Sequence, residues 1–115
     1  MLIAFTHNVK LNNTEAEAEF DTPETISAIA DGVVSLGHTI ELVEVSGPPS
    51  KTIARLETLN PDLIFNTAEG RFGKYREGFY PGIFEQLGIP FTGSDAYVCA
   101  QTLDKNITKM IVEQA

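Results

Sequence analysis

The sequence predicts an α/β protein: a small parallel sheet of about four strands with helices on both faces, in three α/β/α layers. Two observations carry this. Short apolar runs at 2–5, 40–45, 63–66 and 89–94 read as strands, the last with its exit. Between them lie segments with 3.6-residue apolar spacing, bounded by residues that start and stop helices. Strands that alternate with helices pair in parallel around one core. At 115 residues there is material for one such domain and not for two.

The elements follow in order. Leu2-Ile3-Ala4-Phe5 opens the chain as a buried strand, and a long polar stretch, 7–21, follows it without helical periodicity. A connection of that length inside a compact domain is either functional or mobile. Thr22-Pro23-Glu24 supplies a capping hydroxyl, a proline at the first helical position and a carboxylate in the first turn. Ile26, Ile29, Ala30, Val33 and Val34 then mark a helix that Gly37 ends. Residues 40–45 alternate apolar and acidic side chains, as a strand with one partly exposed side does. After the turn Gly47-Pro48-Pro49, Ser50 is the expected cap of a helix carrying Ile53, Leu56 and Leu59, which Asn60-Pro61-Asp62 breaks. Strand 63–66 leads into a charged loop and a short helix with Phe79, Ile83 and Leu87 on one face, stopped by Gly88. Ser94-Asp95 is placed to cap a further helix, and Asp104 to restart one with Ile107, Met110 and Ile111 as its stripe. That stripe reaches Ala115 without a capping glycine, so the chain reads as cut there.

Composition narrows the function. Sixteen acidic against eight basic residues give a net charge of −8, which suits solubility and opposes binding to nucleic-acid phosphates. A single cysteine, Cys99, forms no internal disulfide, and no run is long and apolar enough for a bilayer or a signal peptide. A cytoplasmic protein without a membrane partner is expected. The dinucleotide fingerprint, the phosphate-binding P-loop and the G-x-S-x-G elbow are all missing. Asn66-Thr67 stands where a phospho-receiver needs an aspartate, and His7 and His38 lack metal-ligand spacing. Neither a nucleophile nor a metal site is expected within the chain.

What remains is the stretch 66–94. Strand, charged loop, helix and strand make one crossover unit, whose loops emerge at the carboxyl edge where open α/β sheets bind ligands. In the loop Glu69-Gly70-Arg71-Phe72-Gly73, the glycines let backbone approach a ligand, and Arg71 suits a carboxylate or phosphate. The competing reading is a solvated loop whose charges pair with each other. Lys105 and Lys109, four apart, read on pattern alone as a solvated basic turn.

The order F-N-x-x-E-G-R-x-G, R-E-G, P-x-x-x-E-x-L-G-I-P-F-T-G-S-D and then L-D-K-x-x-T-K resembles the D-alanine–D-alanine ligase-like family of ATP-grasp enzymes. The clearest segments are LGIPFTGSD (87–95) and TLDKNITKMIV (102–112). The resemblance implies a Rossmann-like (pre-ATP-grasp) amino-terminal domain over 1–103. Residues 104–115 would begin the linker helix to an absent ATP-grasp lobe. It also implies an enzyme that joins a carboxylate to an amine through an acyl-phosphate, using ATP and magnesium held mostly outside this chain.

The same resemblance implies roles for particular residues. A glutamate in the loop after the first strand would meet the ammonium of an amino-acid-like substrate; Glu19 is the choice, with Glu17 and Asp21 as rivals. Glu69, Gly70 and Arg71 would line the substrate pocket, and Lys105 would reach the ATP phosphates. Two departures stand out: Glu69 replaces the family's histidine, and K-Y-R-E-G replaces an acidic E-D-G. Both suggest a paralogous branch with its own substrate. Expected partners are that small substrate, the missing lobes and a second copy in a homodimer. The rival from another class is a stand-alone ligand- or partner-binding module without catalysis.

Overall fold

Six residues, Leu2–His7, form the central strand β1 of a three-stranded parallel sheet in the order β2-β1-β3. The computed structural model describes residues 1–18, 20–103 and 105–114, without the side chains of Ala16, Thr102, Leu103 and Ile107. The expected cap Asp104 and the Ile107 side chain therefore lie outside the described residues. β2 (Thr39–Glu44) and β3 (Leu63–Asn66) flank β1, with Ala4 opposite both Glu41 and Ile64. The helices are α1 (Pro23–Ser35), α2 (Pro49–Leu59), α3 (Arg76–Leu87), α4 (Ala96–Leu103) and α5 (Lys105–Gln114).

The sheet order explains the layering. The step from β1 to β2 goes one way along the sheet, and the step from β2 to β3 returns past β1. Right-handed crossovers in opposite directions leave their helices on opposite faces. On one face Ala4, Val43 and Ile64 pack with Leu56 of α2 and with Tyr80 and Phe84 of α3. Phe84, Leu56 and Ile64 are completely buried, and each such side chain contributes roughly 1.5–3 kcal/mol. On the other face the Phe5 ring meets His7 and Phe65 at centroid distances of 4.9 and 5.5 Å.

Three details differ from the sequence reading, each for a local reason. The fourth strand shrinks to one parallel bridge, Ile64 to Phe91. Ile64 N–H donates to Pro90 O (2.8 Å) and Thr92 N–H to Ile64 O (2.9 Å). Upstream, Ile89 N–H is taken by Phe84 O in the cap of α3, and Pro90 has no N–H to give. Downstream, the Thr92 hydroxyl accepts from Asn66 N–H, and Gly93 turns away at φ +95°. Only four residues separate cap from turn, too few for a ladder.

Helix α2 begins at Pro49, with Pro48 as the flanking residue, so Ser50 lies in the first turn instead of capping. Proline's fixed φ suits that first position. In α3 the buried pair is Tyr80 and Phe84, while Phe79 is 40% exposed. The helix is gripped on two sides, by the sheet through Tyr80 and Phe84 and by α4 through Gly78, which rotates Phe79 outward. A Cβ on Gly78 would come within 2.9 Å of Ala96 O, so the glycine sets how closely α3 and α4 approach. Thr22 caps α1 as expected, its hydroxyl accepting from Thr25 N–H at 3.2 Å.

Candidate functional site

The carboxyl ends of β1 and β3 lie side by side where the chain reverses direction across the sheet, the usual place for a ligand in such folds. Here that seam is closed by side chains. The Asn8 amide brackets the backbone of Glu69: Glu69 N–H donates to Asn8 Oδ1 (2.8 Å) and Asn8 Nδ2 donates to Glu69 O (3.3 Å). Thr6 Oγ1 donates to Asn66 Oδ1 (2.7 Å), which also accepts from Ala68 N–H (3.0 Å). These bonds close the seam between β1 and β3, and the opening lies beside β3.

There a cleft of about 290 Å³ lies against α3, lined by residues 66–69 and 92–94 with Glu77, Pro81 and Cys99. Two carboxylates, Glu69 and Glu77, give it a negative character. Burial pushes the Cys99 thiol up from its usual range, and the charges of Glu77, Asp95 and Glu85 push it further. A thiol held protonated is a weaker nucleophile than a thiolate. Glu85 is engaged structurally, accepting from Ala96 N–H (3.0 Å) at the start of α4.

The sequence-predicted residues occupy different settings. Glu69 lines the cleft. Gly70 is buried, and a Cβ there would lie 3.0 Å from Arg76 O and 3.1 Å from Phe79 Cβ, so its small size serves the packing of loop against helix. Its N–H donates to Arg76 O at 2.5 Å, closing the neck of the loop. Arg71 stands outside the cleft on the exposed tip, its guanidinium 5.5 Å from the centroid of the Phe72 ring. Lys105 is exposed at the first position of α5. Glu19 lies outside the described residues.

The two rivals of Glu19 have structural partners. Glu17 accepts from Leu11 N–H (2.9 Å) and from the Thr14 hydroxyl (3.2 Å) inside the loop. The Leu11 bond is the main cause of a carboxyl held below the usual range. Asp21 ties the base of the loop: its N–H donates to Asn8 O (3.0 Å), its carbonyl accepts from Lys10 N–H (2.7 Å), and its carboxylate takes the Thr67 hydroxyl (2.5 Å).

Sequence reasoning took 66–94 as the stretch of the site without giving Thr67 or Ser94 a role in it, weighed Cys99 only as a nucleophile, and did not consider Asn8. Asn8 and Thr67 carried a readable signal, as small polar residues directly after strand-like runs. Cys99 reaches the cleft through the close packing of α4 on α3, which no local pattern reveals. Among the described residues no three His, Cys, Asp or Glu side chains gather into a metal site, and no helix is long and apolar enough to cross a membrane.

Comparison with known proteins places this architecture. The chain is 36% identical over 89 residues to a D-alanine–D-alanine ligase of Moorella thermoacetica, covering 77% of the chain and 27% of that protein. Against the ligase of Anaeromyxobacter sp. the identity is 37% over 87 residues, covering 76% of the chain and 27% of the relative. Against that of Gluconobacter oxydans it is 30% over 107 residues, 93% of the chain and 34% of the relative. The chain therefore spans between about a quarter and a third of the length of these curated relatives. No family model matches it, and neither does any solved structure. Over three quarters or more of its length the chain is thus similar to one part of proteins that share the name D-alanine–D-alanine ligase.

Proposed function

We propose that this chain is the amino-terminal, substrate-binding domain of an ATP-dependent ligase that joins a carboxylate to an amine. The observation that carries the reading is the position of Glu69, in a negative cleft at the carboxyl end of β3 in a chain similar to these ligases. A carboxylate there accepts hydrogen bonds and favours an ammonium, whereas a histidine donates or is neutral. Glu69 and Glu77 thus select the amino end of an amino-acid-like substrate. From the loop after β1, where Glu17 and Asp21 hold the backbone and Thr67, Glu19 is the proposed contact of the same ammonium.

ATP, when bound, would supply the phosphoryl group that activates the substrate carboxylate as an acyl-phosphate with loss of ADP, and the amine would then displace phosphate and give up a proton. Toward the phosphates this chain offers Lys105, an exposed cation of the kind that stabilises phosphoryl transfer. The magnesium ligands belong to lobes beyond this chain, and a cytoplasmic setting fits the ATP supply and a single cysteine outside any disulfide.

The test compares this chain with the polypeptide encoded by its complete reading frame, each incubated with ATP, magnesium and amino acids. The longer protein is expected to release ADP only when amino acids are present, and the isolated chain to release none above background. ADP released by the isolated chain, or a frame that stops at Ala115, would overturn the reading in favour of a different enzyme or a stand-alone binding module.

A further inference from the structure

The loop between β3 and α3 has a second chemical character. It leaves the cleft at Glu69 and returns to it at Glu77, both lining residues, and the Gly70–Arg76 backbone bond joins its two limbs. Its tip, residues 71–75, is fully outside. Arg71, Lys74 and Arg76 are three of only eight basic residues in the chain, gathered within six positions on a protein of net charge −8. Among the described residues none of the three lies within ion-pair distance of a carboxylate; the ion pairs found are Arg55–Glu41 and Lys109–Glu113. Two aromatic rings stand beside them, Phe72 82% exposed and Tyr75 69% exposed. Arg71 lies over the Phe72 ring, which restrains the guanidinium and leaves its edge for a planar anion. Gly73, at φ +88°, makes the turn that folds the tip back.

We propose that residues 71–76 form an anion-recognising arm at the lip of the cleft, so that the amino substrate carries an extra carboxylate, as an amino dicarboxylate does. The inference rests on the reading of the cleft as an amine site. A negative cleft and a positive arm joined by a five-residue tip form a bipolar site. The ammonium enters between Glu69 and Glu77, and the distal carboxylate meets Arg71 and Lys74. A small neutral side chain gains nothing from the arm. A dicarboxylate without an amine is repelled by the cleft.

The experiment is a titration of the isotope-labelled chain with alanine, glutamate and glutarate, followed through backbone amide resonances at low and high salt. Glutamate is expected to shift amides at Glu69, Glu77 and Gly93 together with those of 71–75, and to bind at least tenfold more tightly than alanine. Salt should reduce that preference, because the contacts are exposed. The double variant Arg71→Ala/Lys74→Ala should abolish the preference, bringing glutamate to the affinity of alanine in the same variant. Equal affinity for alanine and glutamate at the cleft amides would overturn the arm while leaving the amine site standing. No shift at the cleft amides with either amino acid would overturn both.

Discussion

The two loops at the carboxyl edge of the sheet treat their charged groups in opposite ways. The loop after β1 turns its carboxylates inward: Glu17 holds Leu11 and Thr14, and Asp21 fastens the base to Thr67. The loop after β3 is joined across its neck by backbone at Gly70 and Arg76, and it turns Glu69 and Glu77 to the cleft and its cations to solvent. Polar groups satisfied within the fold stabilise it but are lost to a ligand. Groups that line an opening are placed where a ligand can reach them. On the proposed function, the first loop is scaffold and the second is the site.

The strongest way to break that contrast is to attack the neck of the second loop. Gly70→Ala places a methyl 3.0 Å from Arg76 O and 3.2 Å from Arg76 Cα, backbone atoms that cannot rotate away. We expect the unfolding free energy in urea to fall by about 1–3 kcal/mol, the usual cost of overpacking. An unchanged midpoint would mean that the neck yields freely and is no hinge.

The first loop should respond less. Asp21→Ala removes the bond to Thr67 but leaves both backbone bonds at the base, so a loss of about 1 kcal/mol is expected. Amide exchange should accelerate across residues 10–18 and stay unchanged at β3. If β3 also loosens, the loop is part of the core and not an attachment to it.

A chemical probe sharpens the account of the cleft. Cys99, raised by burial and by neighbouring carboxylates, should alkylate more slowly at pH 8 than free cysteine. Glu77→Gln removes the largest charge acting on it and should speed the reaction. Equal rates in variant and wild type would separate Glu77 from the cleft electrostatically.

The smallest effect is acidic. Because the folded carboxyl of Glu17 is held below its usual 4.5, its contribution is present above the unfolded value and is lost as pH falls through the lower folded one. The Leu11 amide resonance should titrate with a midpoint below 4.5. A midpoint at or above that value would remove Glu17 as the staple of the loop.

How much of this was legible in the chain depends on range. Thr22-Pro23, Gly88 and Asn60-Pro61 are local signals, and the structure uses each as a boundary. The reduction of the fourth strand followed from Pro90 and Gly93, also local, but only once the cap at Ile89 was seen to consume the remaining donor. The site divides the same way. Glu69 announced itself beside two glycines after a strand. The closing of the seam by Asn8 depends on residues 61 positions apart, and the arrival of Cys99 depends on α3 and α4 meeting at Gly78. Gly70 shows the limit most plainly: a glycine that could admit a ligand and one that admits a helix read alike until the neighbours are known.

The central proposal, that Glu69 meets the amino substrate, is tested most directly by Glu69→Gln in the protein encoded by the complete reading frame. A substrate contact predicts a loss of kcat/KM for the amino substrate of roughly tenfold or more, about 1.4 kcal/mol, with the KM for ATP unchanged. Equal kinetics in variant and wild type across a panel of amino acids would contradict it and remove Glu69 from the site.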